Sequence, residues 1–234
     1  MGRPKKPLIN RRRTLEAALR IIDEEGLDAV SIRRLGDELK VHGISLYHHF
    51  EDKNAILIGA AHLALDGIRT PRASDQDWRE WLIGNATKYW IALRKHPNLI
   101  PILTRRHPLR IGLAEHNETA GLLAIQGVPP KVIMPLLESL EAVALGFATY
   151  QAAVETDRQD DWKLQHPFLF SVSEKRAFNT SRSFEIVARA TVEAVLKEFE
   201  ATEAQSIPAP HGRPAATQEP AAPLAAKRRP RTQA

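Results

Sequence analysis

Residues 31–50 read SIRRLGDELKVHGISLYHHF, and their pattern predicts two short helices joined by a tight turn. Ser31 is a favourable N-cap for the first of them. Apolar residues then recur at the spacing of one helical face: Ile32, Leu35, Gly36 and Leu39. A turn at Val41-His42-Gly43 follows, and a second short helix is predicted over residues 44–49. Such a braced helix pair, with polar side chains on its outer member, is typical of a helix-turn-helix.

A longer helix is predicted on each side of this pair. Asn10 can cap the preceding helix, which ends at Gly26 because glycine accepts a left-handed backbone. Its inward face is formed by apolar residues: Leu15, Ala18, Leu19 and Ile22. Asp52 can cap the following helix, whose apolar stripe runs to Leu65. Gly36 lies on the inner face of the central pair and permits close helix approach.

The rest of the chain also reads as helical. Helical patterns are predicted over these ranges: 77–95, 109–126, 130–154 and 174–199. Short helical pieces are expected around Pro97, Pro101 and Pro108, and a polar connection over 157–173. No stretch alternates with period two for long enough to form a strand, so the expected fold class is all-α.

These patterns divide the chain into four parts. The predicted units are a basic disordered arm (1–9), a helix-turn-helix domain (10–53), a helical ligand-binding and dimerisation domain (54–201), and a disordered, basic Pro/Ala-rich tail (202–234). The ligand-binding and dimerisation role of the third unit is implied by a family resemblance.

Composition limits the kinds of chemistry available. The 234 residues are 43% hydrophobic and 26% charged, as in globular proteins, and cysteine is absent. No run of eighteen uncharged apolar residues exists, and the charged N-terminus lacks an apolar stretch, so we expect no membrane association, no secretory signal and a cytoplasmic protein. The motifs of metalloproteases, P-loops, nucleophile elbows and dinucleotide sites are missing. We therefore expect no enzyme, no cofactor and no metal.

The positive charge is concentrated at the two ends. The net charge is +5, and residues 1–13 contain six Lys/Arg and no acidic residue. A basic arm before a small helical domain suits a polyanion such as DNA, although charge runs are more often only solvated. Polar side chains suited to a major groove are present on the predicted outer helix: Ser45, Tyr47, His48 and His49. Arg33, Arg34 and Lys53 flank it as expected phosphate contacts.

Residues 17–57 resemble the TetR family of bacterial transcription regulators. The residues that carry the resemblance are Ala17-Ala18-Leu19, Glu25-Gly26, Ser31-Ile32-Arg33-Arg34-Leu35, Leu39-Lys40-Val41, Ser45-Leu46-Tyr47-His48-His49-Phe50, Lys53 and Leu57. The Leu-Tyr pair, the following His-Phe and the lysine three residues later are the most specific to the family. A weaker resemblance continues through Trp78 to Tyr89, Gly127 and residues 130–154.

The resemblance implies DNA-contacting roles for particular residues. Residues that reach bases, or open the recognition helix, are Arg33, Gly43, Ile44, Ser45 and His48, while residues that contact the DNA backbone are Tyr47, His49 and Lys53. The chain departs from the family at two positions. It has Gly36 in place of the usual alanine, which predicts slightly looser packing, and Lys40 in place of the usual glycine, which adds a cation near the turn.

The resemblance also implies a ligand pocket and a homodimer in the larger half. The dimer would pair helices 130–154 and 174–199 of two copies, which sets two recognition helices for a palindromic double-stranded operator. The candidate pocket residues are Asn85, Tyr89, His96, His116, Phe147 and Gln151. Leu103 or Thr104 occupies the place of the family's drug-chelate-binding histidine, so magnesium-tetracycline is not the expected effector.

Three functions remain open from the sequence. The favoured one is a sequence-specific repressor released from its operator by a small molecule. The second is an architectural, non-specific DNA-binding protein, which the basic run 227–231 would support. The third is a helical enzyme or small-molecule carrier without a DNA role.

Overall fold

The computed structural model describes residues 10–68, 76–105, 112–156 and 162–206. Within these ranges every regular element is a helix, so the all-α prediction is confirmed. The α-helices are α1 (Arg11–Glu25), α2 (Ile32–Leu39), α3 (Lys53–Leu65), α4 (Trp78–Lys95), α5 (Ile100–Arg105), α6 (Leu113–Ile125), α7 (Pro130–Thr156), α8 (Trp162–Gln165), α9 (Pro167–Glu174) and α10 (Thr180–Ser206). Short 3₁₀ helices cover Leu27–Ala29, Gly43–His48 and Pro97–Leu99.

The first three α-helices begin where the sequence places their caps. Asn10 Oδ1 accepts from the Arg13 N–H at 2.7 Å, Ser31 Oγ from Arg34 at 3.0 Å, and Asp52 Oδ1 from Ala55 at 2.7 Å. Each side chain satisfies an amide that has no partner inside its helix. The apolar faces of these helices meet in one core whose innermost members are fully buried: Ala17, Ala18, Ile22, Leu35, Leu46 and Ile56.

The larger half is built around α4, α7 and α10, which pack against one another. Trp90 and Phe184 stack with ring centroids 4.7 Å apart, and Phe147 meets both rings edge-on. Trp90 Nε1 donates to Gln151 Oε1 at 3.0 Å, which satisfies the buried indole. Phe147 and Gln151 therefore belong to the core that joins the three helices.

Helix α3 connects the two halves. It packs along α1, and it also contacts α4 and α5. The helix-turn-helix is therefore attached to the larger half through α1 and α3, and a displacement of either helix reaches both parts.

The structure differs from the sequence prediction after residue 157. The predicted polar connection contains two helices, α8 and α9, and Pro167 fits the first position of α9 because the amide there needs no helical partner. The last helix begins at Thr180 rather than 174, since Asn179 Oδ1 accepts from the Arg182 N–H at 2.8 Å and acts as its cap. The same helix continues to Ser206, so residues 202–206 are helical and the predicted tail boundary at 202 is wrong.

Several sequence predictions lie outside the described residues. These are the arm (1–9), the start of the 109–126 helix, and the tail from 207 onward.

One helix differs from the sequence expectation that no stretch is suited to a membrane. Pro130–Val154 is long and apolar enough to span a bilayer by length and composition, with a mean hydropathy of 1.5. Here it packs between α4, α6 and α10.

Candidate functional site

The predicted recognition helix is a single 3₁₀ segment, Gly43–His48, which we call the recognition segment. Leu46 is fully buried and Phe50, just after the segment, is 4% exposed, so these two side chains anchor it on the core. Ile44 and Tyr47 are 68% and 52% exposed, His48 and His49 are also exposed, and Ser45 is half-buried. The sequence-predicted contact residues therefore lie on an accessible outer face.

Two glycines bring α2 and the recognition segment into close contact. A Cβ added to Gly36 would lie 2.9 Å from the Val41 carbonyl oxygen and 3.1 Å from Gly43 Cα, and one added to Gly43 would lie 2.8 Å from the Ile32 carbonyl oxygen. Each obstacle is backbone, which cannot rotate away. Gly36 thus tightens the pair, and the expectation that glycine at this position loosens packing is wrong.

Lys40 ends α2 in the left-handed conformation, with φ 57° and ψ 45°. Glycine adopts this backbone without penalty, whereas a Cβ makes it unfavourable. Lys40 therefore carries local strain, and it places a cation beside the turn.

The Lys40→Gly variant should raise the free energy of unfolding by about 1 kcal/mol, because the strain of the left-handed residue is removed. Urea denaturation followed by circular dichroism measures the change. Gly127 also has a left-handed backbone, with φ 79°, and nothing lies within 4 Å of an added Cβ. Gly127→Ala is therefore the reverse substitution, and it should lower the free energy of unfolding by about the same amount. Unchanged or reduced stability of Lys40→Gly would contradict the strain argument.

Two adjacent arginines on α2 have different surroundings. Arg34 donates to Glu25 Oε1 through Nε at 3.1 Å and to Glu38 Oε2 at 2.9 Å, so it fastens α2 to the end of α1. Arg33 is exposed and makes no ion pair or side-chain hydrogen bond with another described residue. Arg34, which was expected to contact phosphate, is instead bound to two carboxylates, and this corrects its predicted role. The exposed side chains of Arg33 and Lys53 are available for contact with phosphate.

The Arg34 cluster should make stability depend on acid pH. Hydrogen bonds from Arg34 lower the pKa of both Glu25 and Glu38 below the ordinary 4.5. A lowered folded-state pKa contributes stability that is complete above pH 4.5 and is lost as pH falls through the folded value. We expect the melting temperature of the wild type to exceed that of Arg34→Gln at neutral pH, and the gap to close below pH 4.5. Melting curves across pH test this, and a gap independent of pH would refute it.

Arg11 braces the end of the recognition segment. Its Nη1 donates to the His49 carbonyl oxygen at 2.9 Å, and its guanidinium lies 4.7 Å from the centroid of the Phe50 ring. A cation at this position also favours the C-terminal end of a helix. The sequence indicated only a run of basic residues here and gave no sign of these contacts. The next residue, Arg12, forms an ion pair within α1, with Glu16 at 2.9 Å.

A polar clasp joins the C-terminal end of α1 to the segment before α5. His96 Nδ1 lies 2.9 Å from both carboxylate oxygens of Asp23, and Asn98 Nδ2 donates to the Ile22 carbonyl oxygen at 2.8 Å. We call His96, Asp23 and Asn98 the interdomain clasp. His96, predicted as a pocket residue, instead links the helix-turn-helix to the larger half.

A cavity of about 860 Å³ lies between the two halves. Its apolar wall is formed by Leu15, Leu63, Leu65, Ile68, Leu82, Ala86, Leu103, Leu137 and Leu140. Its polar wall is formed by Arg11, Arg12, His62, Asp66, Asn85, Tyr89, Glu115, His116, Glu118, Thr119 and Glu141. The structure therefore brings Asn85, Tyr89 and His116 together as predicted, whereas His96, Phe147 and Gln151 do not line this cavity.

Glu141 lies at the centre of a cluster of residues in the polar wall, and its side chain is only 12% exposed. The Tyr89 hydroxyl donates to its Oε1 at 3.4 Å, and His116 Nε2 lies 3.9 Å from its Oε2. Burial, followed by the charge of Glu141 and its hydrogen bond, raises the pKa of Tyr89 far above its ordinary range. Tyr89 therefore stays a neutral hydroxyl donor.

Sequence reasoning missed Glu141 and Arg11. A glutamate inside the otherwise apolar run of α7 was the available signal for Glu141, since a charge on a buried face calls for a polar environment. Arg11 gave no such signal, because its contacts are with residues 38 and 39 positions away. Among the described residues, no group of three or more His, Asp or Glu side chains is placed to hold a metal ion.

An exposed polar recognition segment braced by a second helix defines a helix-turn-helix DNA-binding protein. Comparison with known proteins agrees. Residues 15–60 match the family model described as bacterial regulatory proteins, tetR family. The chain is 26% identical over 147 residues to the class G tetracycline repressor of Vibrio anguillarum, covering 62% of this chain and 70% of that protein. It is 42% identical over 82 residues to the class A repressor of Escherichia coli, covering 34% and 38%.

The fold agreement extends over nearly the whole described chain. The Streptomyces coelicolor TetR family protein ActR, solved in complex with actinorhodin, aligns with a TM-score of 0.66 at 23% identity, covering 82% of this chain and 99% of that one. The chain belongs to the TetR family of bacterial transcriptional regulators. It is thus a DNA-binding transcriptional regulator and not an enzyme.

Proposed function

We propose that this protein is a homodimeric repressor that binds a palindromic operator and leaves it when a small molecule occupies the cavity. The observation that carries the proposal is the composition of the cavity wall. Residues of α1 and α3, which hold the recognition segment, and residues of α4, α6 and α7 line the same space. A molecule bound there touches both halves at once, so its binding is linked to their relative placement. As a regulator of bacterial transcription, the protein would act in the cytoplasm.

Base readout falls to the exposed face of the recognition segment and the start of α2. Arg33 supplies donors for a base edge, Ser45 and His48 supply further polar contacts, and Ile44 offers an apolar contact to a thymine methyl. Gly43 lets the segment lie close to α2. The backbone contacts are assigned to Tyr47, His49 and Lys53, the last of which begins α3 where its free amides favour a phosphate.

Release would follow from a shift between two arrangements of the halves. The interdomain clasp fastens α1 to the segment that continues into α5, and Leu103 of α5 lines the cavity. At its other end α1 holds the recognition segment through Arg11. A ligand releases DNA only to the extent that it binds the non-operator arrangement more tightly. A ligand that binds without altering operator affinity would remove this mechanism for that ligand.

Exposed apolar side chains support the proposed dimer. On α7, Tyr150 and Val154 are 70% and 53% exposed, and on α10, Ile186 and Val187 are each 38% exposed. Large apolar groups gathered on two long helices are typical of a surface that another subunit covers.

The Tyr150→Arg variant should weaken dimerisation by roughly tenfold. In a symmetric interface each subunit contributes one arginine, so two like charges replace two apolar contacts. Analytical ultracentrifugation measures the dimer dissociation constant. Ile125 is 78% exposed at the end of α6, so Ile125→Arg is the matched control and should leave the dimer intact. Equal effects of the two variants would place the interface elsewhere.

Selection of genomic DNA fragments by the purified full chain tests the proposal. We expect a palindromic sequence whose half-sites lie about one helical turn apart, and binding about a thousandfold or more tighter than to unrelated DNA. Fragments without common sequence would favour the architectural DNA-binding function instead. Retention of no DNA, together with conversion of a small molecule, would favour the helical enzyme or carrier.

A further inference from the structure

Arg11 belongs to the cavity and to the DNA-binding part at the same time. It is one of the residues that line the cavity. Its Nη1 donates to the His49 carbonyl oxygen at 2.9 Å, directly after the recognition segment, and its guanidinium lies 4.7 Å from the centroid of the Phe50 ring. Phe50 in turn anchors the segment on the core. A change in the direction of this one side chain therefore reaches both places.

The guanidinium of Arg11 has donors left over. A guanidinium carries five N–H groups, and the contact with His49 uses one of them. The side chain makes no ion pair and no other hydrogen bond with a described residue, and it is exposed. A hydrogen-bond acceptor inside the cavity can therefore bind Arg11 without first displacing a carboxylate, whereas Arg12 of the same wall is paired with Glu16.

The part of the cavity wall that α1 supplies is basic and apolar. It consists of Arg11, Arg12 and Leu15. The carboxylates of the wall come from other elements: Asp66 after α3, Glu115 and Glu118 on α6, and Glu141 on α7. The first three are exposed, so water and salt screen them, and Glu141 is in contact with Tyr89. An acidic group of a bound molecule is therefore favoured beside α1, and the leucines of the wall are left for an apolar body.

A carboxylate competes well for this guanidinium. Its hydrogen bonds to arginine are charge-assisted, and its two oxygens match the planar fork of the guanidinium. The His49 carbonyl offers a single neutral oxygen, so it is the weaker partner. Because the guanidinium is rigid and planar, its turning toward a carboxylate in the cavity changes the contacts with both His49 and Phe50. The end of the recognition segment then loses two of the contacts that hold it.

We propose that Arg11 couples the cavity to the DNA-binding surface, and that the ligand to which it responds is an amphipathic carboxylic acid. The carboxylate binds Arg11, the apolar body lies along the leucines of the wall, and the recognition segment is held less firmly. The cavity volume of about 860 Å³ suits a drug-sized molecule of this kind. Arg11 is a positioning residue for DNA binding. This role rests on the proposed binding of a small molecule in the cavity and adds the class of ligand.

Two fluorescent dyes that differ at one group test the ligand class. Dansylaminoundecanoic acid carries a carboxylate at neutral pH, and its methyl ester is neutral and of nearly the same size. Titration of the full chain, followed by dansyl emission, gives both dissociation constants. We expect the acid to bind at least about tenfold more tightly than the ester. Equal binding, or no binding of the acid, would overturn the proposal.

Hydrogen exchange of the recognition segment tests the coupling without DNA. Mass spectrometry follows the peptide over residues 43–50 in the free protein and with saturating dye. The acid should speed exchange of this peptide by about threefold or more, because the contacts made by Arg11 are weakened. The ester at equal occupancy should leave the exchange rate unchanged. Unchanged exchange with the acid bound, or equal acceleration by acid and ester, would contradict the coupling.

Two arginine variants locate the effect. Arg11→Met keeps the apolar stem of the side chain and removes its donors and charge. The segment should then exchange rapidly without ligand, the acid should add nothing, and the preference for the acid should fall at least about fivefold. Exchange in the buried part of α7 is the internal standard for an intact fold.

Arg20→Met is the matched control for Arg11→Met. Arg20 is also on α1 and pairs with Glu38 at 3.2 Å, but it is not among the residues that line the cavity. Both the preference for the acid and the acceleration by the acid should therefore remain. If Arg11→Met keeps both effects, or Arg20→Met loses them equally, Arg11 does not have this role.

Failure of this proposal is distinguishable from failure of the proposed function. The dye and exchange measurements involve no DNA, and operator selection involves no dye. A selected palindrome together with equal binding of acid and ester overturns only the ligand class and the role of Arg11. An Arg11-dependent response to the acid without any selected operator overturns the repressor and leaves the coupled site.

Discussion

The Arg33→Ala variant should bind its operator more weakly by about 1–3 kcal/mol, roughly 5- to 150-fold, and should tolerate substitution at one operator position. Arg33 is exposed at the start of α2 and makes no ion pair with another described residue. Removing it therefore leaves the fold unchanged, and the loss is confined to DNA contacts. Titrations against the selected operator and single-base variants of it measure both effects.

Two other basic residues, Arg34 and Lys53, provide the controls for Arg33. Arg34→Ala breaks the contacts with Glu25 and Glu38, so it should lower the melting temperature before it changes base preference. Lys53→Ala should weaken binding to all sequences alike and reduce the slope of log affinity against log salt by about one. If Arg33→Ala changes neither affinity nor base preference, the assigned surface is wrong.

The Gly36→Ala variant should lower the free energy of unfolding by about 2–3 kcal/mol, although alanine is the usual family residue there and a better helix former. The added Cβ would lie 2.9 Å from the Val41 carbonyl oxygen and 3.0 Å from the Gly43 amide nitrogen. Neither can move without displacing the recognition segment, so operator affinity should fall as well. Urea denaturation and operator titration measure the two losses.

Gly121→Ala is the matched control for this variant. Gly121 lies within α6, and an added Cβ there has nothing within 4 Å. Helix propensity alone then acts, and stability should rise by about 0.5–1 kcal/mol. If Gly36→Ala also stabilises the protein, α2 and the recognition segment have room that the structure does not show.

Local sequence signals were sufficient for the helix-turn-helix. Asn10, Ser31 and Asp52 are caps because each carries a short side chain that reaches the amide three residues ahead. The apolar spacing placed Leu35, Leu39 and Leu46 in the core, where they are buried. The same signals failed at α9, where a proline at a first helical position was taken for part of a connection. They also failed at the start of α10, whose asparagine cap lay inside a helix predicted to begin at residue 174.

The wall of the candidate ligand cavity depends on contacts between distant residues. Tyr89 and His116 were predicted to line it, but Glu141 completes their cluster from α7, 52 positions after Tyr89. His96 was expected in the same place, and it contacts Asp23, 73 positions earlier. Polarity identifies residues that need partners, whereas helix packing determines which partners they meet.

The sequence by itself determined the family, the helical class and the exposed recognition face, because caps, apolar periodicity and a short family motif act within a few residues. Only the tertiary structure decided that Arg34 is bound to carboxylates while Arg33 is available. It also decided that Gly36 lies against backbone of the recognition segment, and that Tyr89, His116 and Glu141 meet in the cavity wall. These facts depend on the distances between separate helices, which are set when the helices pack together and cannot be obtained from spacing along the chain.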